Sequence, residues 1–286
     1  MNILAQSLAG GFFLGISYAV LSAGLALTVN VVEIINLSHG AFYLMGAYLA
    51  YSASSFPGLS LLFLAASAAG PALLGLFIAR TLVNPLRKDH FSIAVGTLGL
   101  AILFEQAADL LWGDRALSVH PGAPLGEILG VKIYPWHAGE ILLSGAVFIL
   151  FFLLPRTKLG LAMRVLAEDE EMAESVGINT NAVRATAFSL SCALASVAGF
   201  VSAPGLVLTP TAGRMPLIFA LVIVILAGTR RLLPVAALSL GLGMVTFGLA
   251  LATSAYVEYI LLLTAVLVVV SVRRGGLFTL KIERDY

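Results

Sequence analysis

Apolar residues run through this chain in long unbroken blocks, and the polar positions between them are few and clustered. A bilayer core about 30 Å thick needs roughly 20 helical residues to cross it, so apolar runs of about 18 or more predict spanning helices. Such blocks fall at 6–29, 36–54, 59–83, 91–112, 139–155, 185–207, 215–229, 233–253 and 256–272. They predict an all-α, polytopic helical membrane protein with about nine transmembrane helices, in a range of roughly 8–10. A membrane β-barrel would instead show alternating residues over strands of about ten.

Composition strengthens this picture. Hydrophobic residues make up 60% and charged residues 11% of the chain, and mean hydropathy is +1.02, well above a water-soluble domain. No stretch reads as a separate soluble domain, so residues 1–286 are expected to form one transmembrane domain. Sixteen basic residues against 15 acidic ones leave no surplus for nucleic-acid binding. The first seven residues carry no Lys or Arg, and the apolar run continues past the length of a signal core, so Leu8 to Val29 is expected as a retained first helix. Cys192 is the only cysteine, which excludes an intrachain disulfide and leaves the thiol as packing.

Charge sets the expected orientation, because Lys and Arg in short loops stay on the cytoplasmic side. Arg80, at the end of the third block, is followed by Arg87 and Lys88 before the fourth, and Arg156, Lys158, Arg164 and Arg184 separate the fifth and sixth. Arg230 and Arg231 separate the seventh and eighth, and Arg273, Arg274, Lys281 and Arg284 follow the last. With nine spans these share one face, leaving Arg115, Lys132 and Arg214 on the other. The expectation is an external N-terminus, a cytoplasmic C-terminus, a cytoplasmic loop 157–184 and an external loop 113–138.

No G-x-x-x-x-G-K-[ST] phosphate loop, Cys/His metal cluster or Ser-His-Asp pattern on a catalytic scaffold occurs in the sequence. The chain therefore reads as a transport subunit without a cofactor of its own, and not as an enzyme. It conducts passively, couples to an ion gradient or draws energy from another subunit. Loop 157–184 bears on that choice, being the one long charge-dense segment. Within it Glu168 to Ser175 reads as a short acidic helix, stopped by Gly177 and Asn179. Such a helix is either a handle for a partner or a solvated connector.

The residues here resemble a family. E-M-A-E-S-V-G at Glu171 to Gly177 resembles the E-A-A-x-x-x-G loop of ATP-binding-cassette (ABC) importer permeases, with Met172 in place of the first Ala. T-K-L-G-L-A-M-R at Thr157 to Arg164, followed by A-E-D-x-E-x-A-x-x-x-G-I-N, is similar to the cytoplasmic loop of branched-chain amino acid importer permeases. I-N-L-S-H-G-A-F-Y-L-M-G-A-Y at Ile35 to Tyr48 resembles that family's N-x-x-H-G-x-F-x-x-x-G-A-Y signature. N-P-L-R at Asn84 to Arg87 and T-L-G-L at Thr97 to Leu100 match further segments. The likeness runs from about residue 8 to Gly276–Phe278 and is nearest to the shorter, LivH-type subunit. One segment departs: where such permeases carry a G-G-x-G-S-x-x-G run, this chain has A-G-T-R-R-L-L-P at Ala227 to Pro234, so local packing there is expected to differ.

The resemblance implies a permease subunit in a bacterial inner membrane, forming the pathway of an ATP-driven importer for branched-chain or other aliphatic amino acids. Its implied partners are two cytoplasmic ATP-binding cassette subunits that hydrolyse the ATP, a second permease chain, related or identical, an external substrate-binding protein and the membrane lipid. A coupling helix near 168–176 would dock on the ATPase and pass on its closure as a rigid-body movement, through Glu168, Asp169, Glu171, Ala173 and Gly177. Arg164 either pins this helix through a carboxylate or stays solvated. Loop 113–138, with Pro121, Pro124, Pro135, Trp112 and Trp136, is either a landing place for the binding protein or an interfacial cover.

Polar residues at membrane depth are costly and usually face protein or a water-filled cavity, which makes them pathway candidates. Asn36, His39 and Tyr43 are spaced i, i+3 and i+7, and in a helix share one face. Gly40 marks a broken helix near 36–40, whose free backbone groups suit an amino acid's charges. The bland alternative is a structural kink that Asn36 and His39 satisfy. Glu105, one turn before Asp109, is a candidate for the substrate ammonium or for a bond to another helix, and Thr97 either fronts the pathway or permits close helix packing. Alternatives stand beside the importer reading: an ABC permease for urea, short amides or another small polar solute, an ion-coupled secondary transporter, and an interaction-only membrane subunit.

Overall fold

The computed structural model describes residues 3–128, 131–228 and 232–252, together with Val257, Ile260 and Thr264. Helix α1 (Ile3–Leu27) continues through a wider π turn, Thr28–Val32, and stops at Glu33, whose backbone is left-handed at φ 60°. After a non-helical link come α2 (His39–Ser54), α3 (Ser60–Ile78, extended by a π turn over Ala79–Val83) and α4 (His90–Trp112). A small antiparallel ribbon pairs β1 (Gly126–Ile128) with β2 (Val131–Ile133) before α5 (Pro135–Leu153). Two short helices, α6 (Lys158–Glu168) and α7 (Glu170–Ser175), precede α8 (Thr180–Ser202), α9 (Arg214–Ala227) and α10 (Leu232–Ala252).

Six of the described helices are long and apolar enough to cross a bilayer: Ser7–Val32, Ser60–Val83, His90–Trp112, Pro135–Arg156, Thr180–Gly205 and Leu233–Ala252. Helices α2 and α9, at 16 and 14 residues, are shorter than a full span. The block at 256–272 and the basic tail fall almost wholly outside the described residues.

Several boundaries differ from expectation for identifiable reasons. The second block was expected to be helical from 36, but α2 starts at His39, and the break lies at 33–38, before Gly40. Helix α5 begins earlier than 139 because Pro135 occupies its first position and Tyr134 and His137 form a reciprocal cap. The acidic helix expected to start at Glu168 is divided there: Asp169 leaves helical geometry and its carboxylate accepts the Met172 N–H at 3.1 Å, starting α7 afresh.

Small residues decide which helices meet. A Cβ on Gly11 or Gly243 would strike the backbone of the opposing helix, so α1 and α10 lie in close contact. A Cβ on Gly46 would strike the Ser196 carbonyl, and one on Gly199 the Tyr43 carbonyl, so α2 packs as tightly on α8. Helix α8 packs against α1, α2, α3, α5 and α6, and α2 lies against α3, α4, α8 and α9 with Phe42 and Tyr48 fully enclosed. Outward faces of α3, α4 and α5 expose Leu73, Phe77, Leu110, Leu142 and Phe152, as helices facing lipid or another chain do.

Candidate functional site

Helix α2 begins deep within the bundle. Its His39 ring meets the Leu21 carbonyl through Nε2 at 3.0 Å, and Leu21 lies three turns, about 16 Å, up α1 from Val32. The link 33–38 therefore climbs back into the bundle before helix resumes. Asn36 makes that turn possible: its Oδ1 accepts the Ser38 N–H at 3.0 Å and the Ser38 hydroxyl at 2.6 Å. Its Nδ2 approaches Cys192 Sγ at 4.0 Å, and the Leu37 N–H donates to Thr97 Oγ1 on α4 at 3.3 Å. The side chains of Asn36, Ser38, His39 and Thr97 are all closed off from solvent.

Helix α9 starts at the same depth. A Cβ on Gly40 would collide with Gly213, and one on Gly213 with Gly40, so the two helix starts touch backbone to backbone. The next residue, Arg214, donates from Nε to Glu105 Oε1 at 2.8 Å and from Nη2 to Oε2 at 2.6 Å. This bidentate pair joins α9 to α4, with the Glu105 side chain at 9% exposure and that of Arg214 at 62%.

Of the pathway residues expected from the sequence, the structure gathers Asn36, Gly40, Thr97 and Glu105 around the meeting of α2, α4 and α9. His39 and Tyr43 face α1 and α8, the helix that Asn36 Nδ2 also approaches at Cys192, and there His39 Nδ1 lies 3.4 Å from Ser191 Oγ and Tyr43 meets Ser202. The single face expected for Asn36, His39 and Tyr43 does not form, because Asn36 precedes the helix. Arg214, read from the sequence as an external loop charge, is instead the first residue of α9. A second buried polar group also escaped notice: Ser17 donates to Glu140 Oε1 at 2.6 Å, and Ser202 donates to Ser17 at 2.9 Å, joining α1, α5 and α8. Nothing in the spacing of residues so distant in sequence signals that contact.

At one end of the bundle α6 and α7 form a platform. Ala173 is fully buried beneath α7, and Glu170 faces the bundle, where Arg184 at the start of α8 grips both its oxygens at 2.9 and 2.5 Å. Arg87 adds contacts to Glu170 at 3.2 Å and Glu174 at 3.8 Å, and Thr180 donates to Glu174 at 3.1 Å. The Arg184 hydrogen bond, opposed by partial burial and helped by the charges of Arg184, Arg87 and Lys88, holds the Glu170 carboxyl below the usual carboxylate range. Gly177, at φ 82°, closes α7: its N–H bonds the Glu174 carbonyl and the Ile178 N–H the Ala173 carbonyl, both at 3.0 Å. The side left open carries Glu171, Met172, Ser175 and Val176.

Arg164 does not pin α7. It pairs with Glu168 of its own helix at 3.2 Å, both largely exposed, beside a cleft of about 890 Å³ whose walls include Ala26, Phe148, Phe152 and Met163. The pinning residues are Arg87 and Arg184, the first of them inside the N-P-L-R segment. Among the described residues no group of three or more His, Cys, Asp or Glu is placed to hold a metal ion.

The comparisons with known proteins fit this architecture. The family model described as the permease component of the branched-chain amino acid transport system matches residues 7–272. The high-affinity branched-chain amino acid transport system permease protein BraD of Pseudomonas aeruginosa is 30% identical over 213 residues, covering 68% of each chain. LivH of Escherichia coli, of the same description, is 27% identical over 212 residues, again 68% of each chain. LivM of Salmonella typhimurium is 29% identical over 247 residues, 74% of this chain and 56% of that protein. No solved structure matches significantly. With a buried helix start at the signature Asn36–Gly40, a separate short helix at Glu170–Ser175 and a match over nearly the whole apolar region, the chain belongs to the family of branched-chain amino acid transport system permeases.

Proposed function

We propose that this chain is a membrane-spanning permease of an ATP-driven importer for branched-chain or other aliphatic amino acids, set in a bacterial inner membrane. Its N-terminus is external and its C-terminus cytoplasmic, which puts α6 and α7 in the cytoplasm and the β1–β2 ribbon outside. The observation that carries the reading is α7 itself. A six-residue helix capped at both ends and tied to α8 and to the turn between α3 and α4 moves with the bundle, while its open side offers Glu171, Met172 and Val176 to another protein. Two cytoplasmic ATPase subunits would each take such a helix from one of two permease chains, and their closure would tilt the helices behind it.

Cargo arrives from a substrate-binding protein on the external face and passes along the junction of α2, α4 and α9. The similarity to BraD and LivH, named as branched-chain amino acid permeases, supports the cargo class. Asn36, His39, Gly40 and Tyr43 shape the helix start on this route, with Thr97 and Glu105 on its α4 side.

The test is co-purification of the chain with the ATPase subunits of its own organism, with and without Glu171→Arg and Gly177→Pro. Capture by the unsubstituted chain and its loss in both variants would support α7 as the docking element. An unsubstituted chain that captures no ATPase would refute the importer reading.

A further inference from the structure

The Arg214–Glu105 pair lies where a charge has few permissible surroundings. Glu105 sits two turns, about 10 Å, below Trp112 along α4, and Arg214 follows Gly213, which rests against the buried start of α2. Yet the Arg214 side chain is 62% exposed on the surface of the chain. A guanidinium at that depth is strongly disfavoured against lipid, and the two bonds to Glu105 keep it from reaching up to the interface. The surface in front of Arg214 must therefore be turned towards water or another polar group.

The chemistry of the pair adds a second constraint. A guanidinium has donors along two edges, and Glu105 occupies only the Nε–Nη2 edge. That leaves the Nη1–Nη2 edge of a largely exposed side chain, an edge with the shape to hold a second carboxylate in the same bidentate fashion. Along α4, Leu98 and Ile102 lie on the stripe that ends at Glu105, and both are about half exposed. A positive fork beside an aliphatic stripe matches an amino acid with an apolar side chain.

We propose that Arg214 binds the α-carboxylate of the transported amino acid part-way across the membrane, with Glu105 as the positioning residue that fixes the guanidinium plane and balances its charge while the site is empty. This rests on the importer reading above and assigns its cargo contact to a residue outside the sequence signature. The substrate class is a free amino acid with an aliphatic side chain.

The test uses the whole importer, with its ATPase subunits and binding protein, in proteoliposomes given radiolabelled L-leucine. Leucine moved per ATP hydrolysed is compared for the unsubstituted complex, Arg214→Gln, Arg214→Lys and Glu105→Gln. We expect Arg214→Gln to lower that ratio at least tenfold. Arg214→Lys, which keeps the charge but loses the fork, should fall between, as should Glu105→Gln. An unchanged ratio in Arg214→Gln overturns the proposal and leaves the importer reading standing. If Arg214→Gln fails to assemble, Arg214→Lys decides, and an unchanged ratio there overturns the proposal equally. An unsubstituted complex that moves no leucine refutes the importer reading, and this proposal falls with it.

Discussion

Arg184 and Glu170 join the start of a long buried helix to a six-residue helix outside it, through two hydrogen bonds between one guanidinium and one carboxylate. The two residues differ in exposure: the Arg184 side chain is nearly enclosed at 9%, while that of Glu170 is 38% exposed. Removing Glu170 therefore strands a buried cation, whereas Arg87, at 34%, can turn to water when its partner is lost. Linkage between α7 and the bundle thus rests chiefly on one pair.

That asymmetry predicts an order of effects. Glu170→Ala should weaken docking of α7 by about 1–3 kcal/mol, the cost of leaving the buried Arg184 donors unmatched, and Arg184→Ala by an amount towards the lower end of that range, because the part-exposed Glu170 keeps Arg87 and water. Arg87→Ala should cost under about 1 kcal/mol and lose its effect near 1 M salt, where screening reaches about 3 Å. Hydrogen exchange at the amides of Met172 to Ile178 would report both. Equal protection losses in Arg87→Ala and Arg184→Ala would refute the ranking.

Acid should loosen the same contact in a defined window. The folded-state value of Glu170 is depressed, so its stabilising contribution is complete above the unfolded carboxylate value of about 4.3 and is lost as pH falls through the lower, folded one. Docking should be flat from about pH 8 to about pH 5 and weaken only below. An environment-sensitive label at Val176→Cys should show this transition, and Glu170→Gln should abolish it. A midpoint between pH 6 and pH 8 in the labelled, otherwise unsubstituted chain would contradict the assignment.

How far the sequence alone revealed these features follows from range. Gly177 and the acidic run before it are local signals, and the helix ends there as the residues predict. Six of the apolar blocks were equally legible, because bilayer thickness fixes their length, whereas the blocks at 36–54 and 215–229 gave helices shorter than a span. Division of the acidic segment at Asp169 was the N-cap preference of Asp showing itself, a signal that the unbroken acidic run around it masked. Arg214 was misplaced for a physical reason: apolar length cannot distinguish a loop charge from the first residue of a half-length helix that starts deep. The partners Arg184 to Glu170 and Ser17 to Glu140 are set by tertiary packing, which no single-chain periodicity encodes.

Close approach of α2 and α8 gives a stability prediction. Gly199→Ala would set a methyl group against the Tyr43 carbonyl, and Gly46→Ala one against Ser196, where backbone and not a movable side chain blocks the way. Each should cost about 1–3 kcal/mol or more by overpacking. Gly70→Ala, where open space surrounds the added carbon, serves as the neutral comparison. Thermal unfolding of the purified chains in one detergent should rank Gly199→Ala and Gly46→Ala well below Gly70→Ala, and three equal midpoints would discount the contact.

The start of α2 poses the last test, because its polar residues hold structure and also stand on the proposed route. Asn36→Ala leaves the buried Ser38 N–H and hydroxyl without their acceptor, and His39→Ala leaves the Leu21 carbonyl without its ring partner. Each loss should cost about 1–3 kcal/mol of stability. If the helix start also shapes the route, leucine transport per assembled importer should fall in both variants, because the Leu37 contact to Thr97 and the Gly40 contact to Gly213 depend on its position. Stability and transport therefore have to be measured on the same preparations, at a temperature where both variants stay folded. A lower unfolding temperature with transport retained in full would make Asn36 and His39 supports of the fold alone. A joint loss would place the break before α2 on the cargo's path.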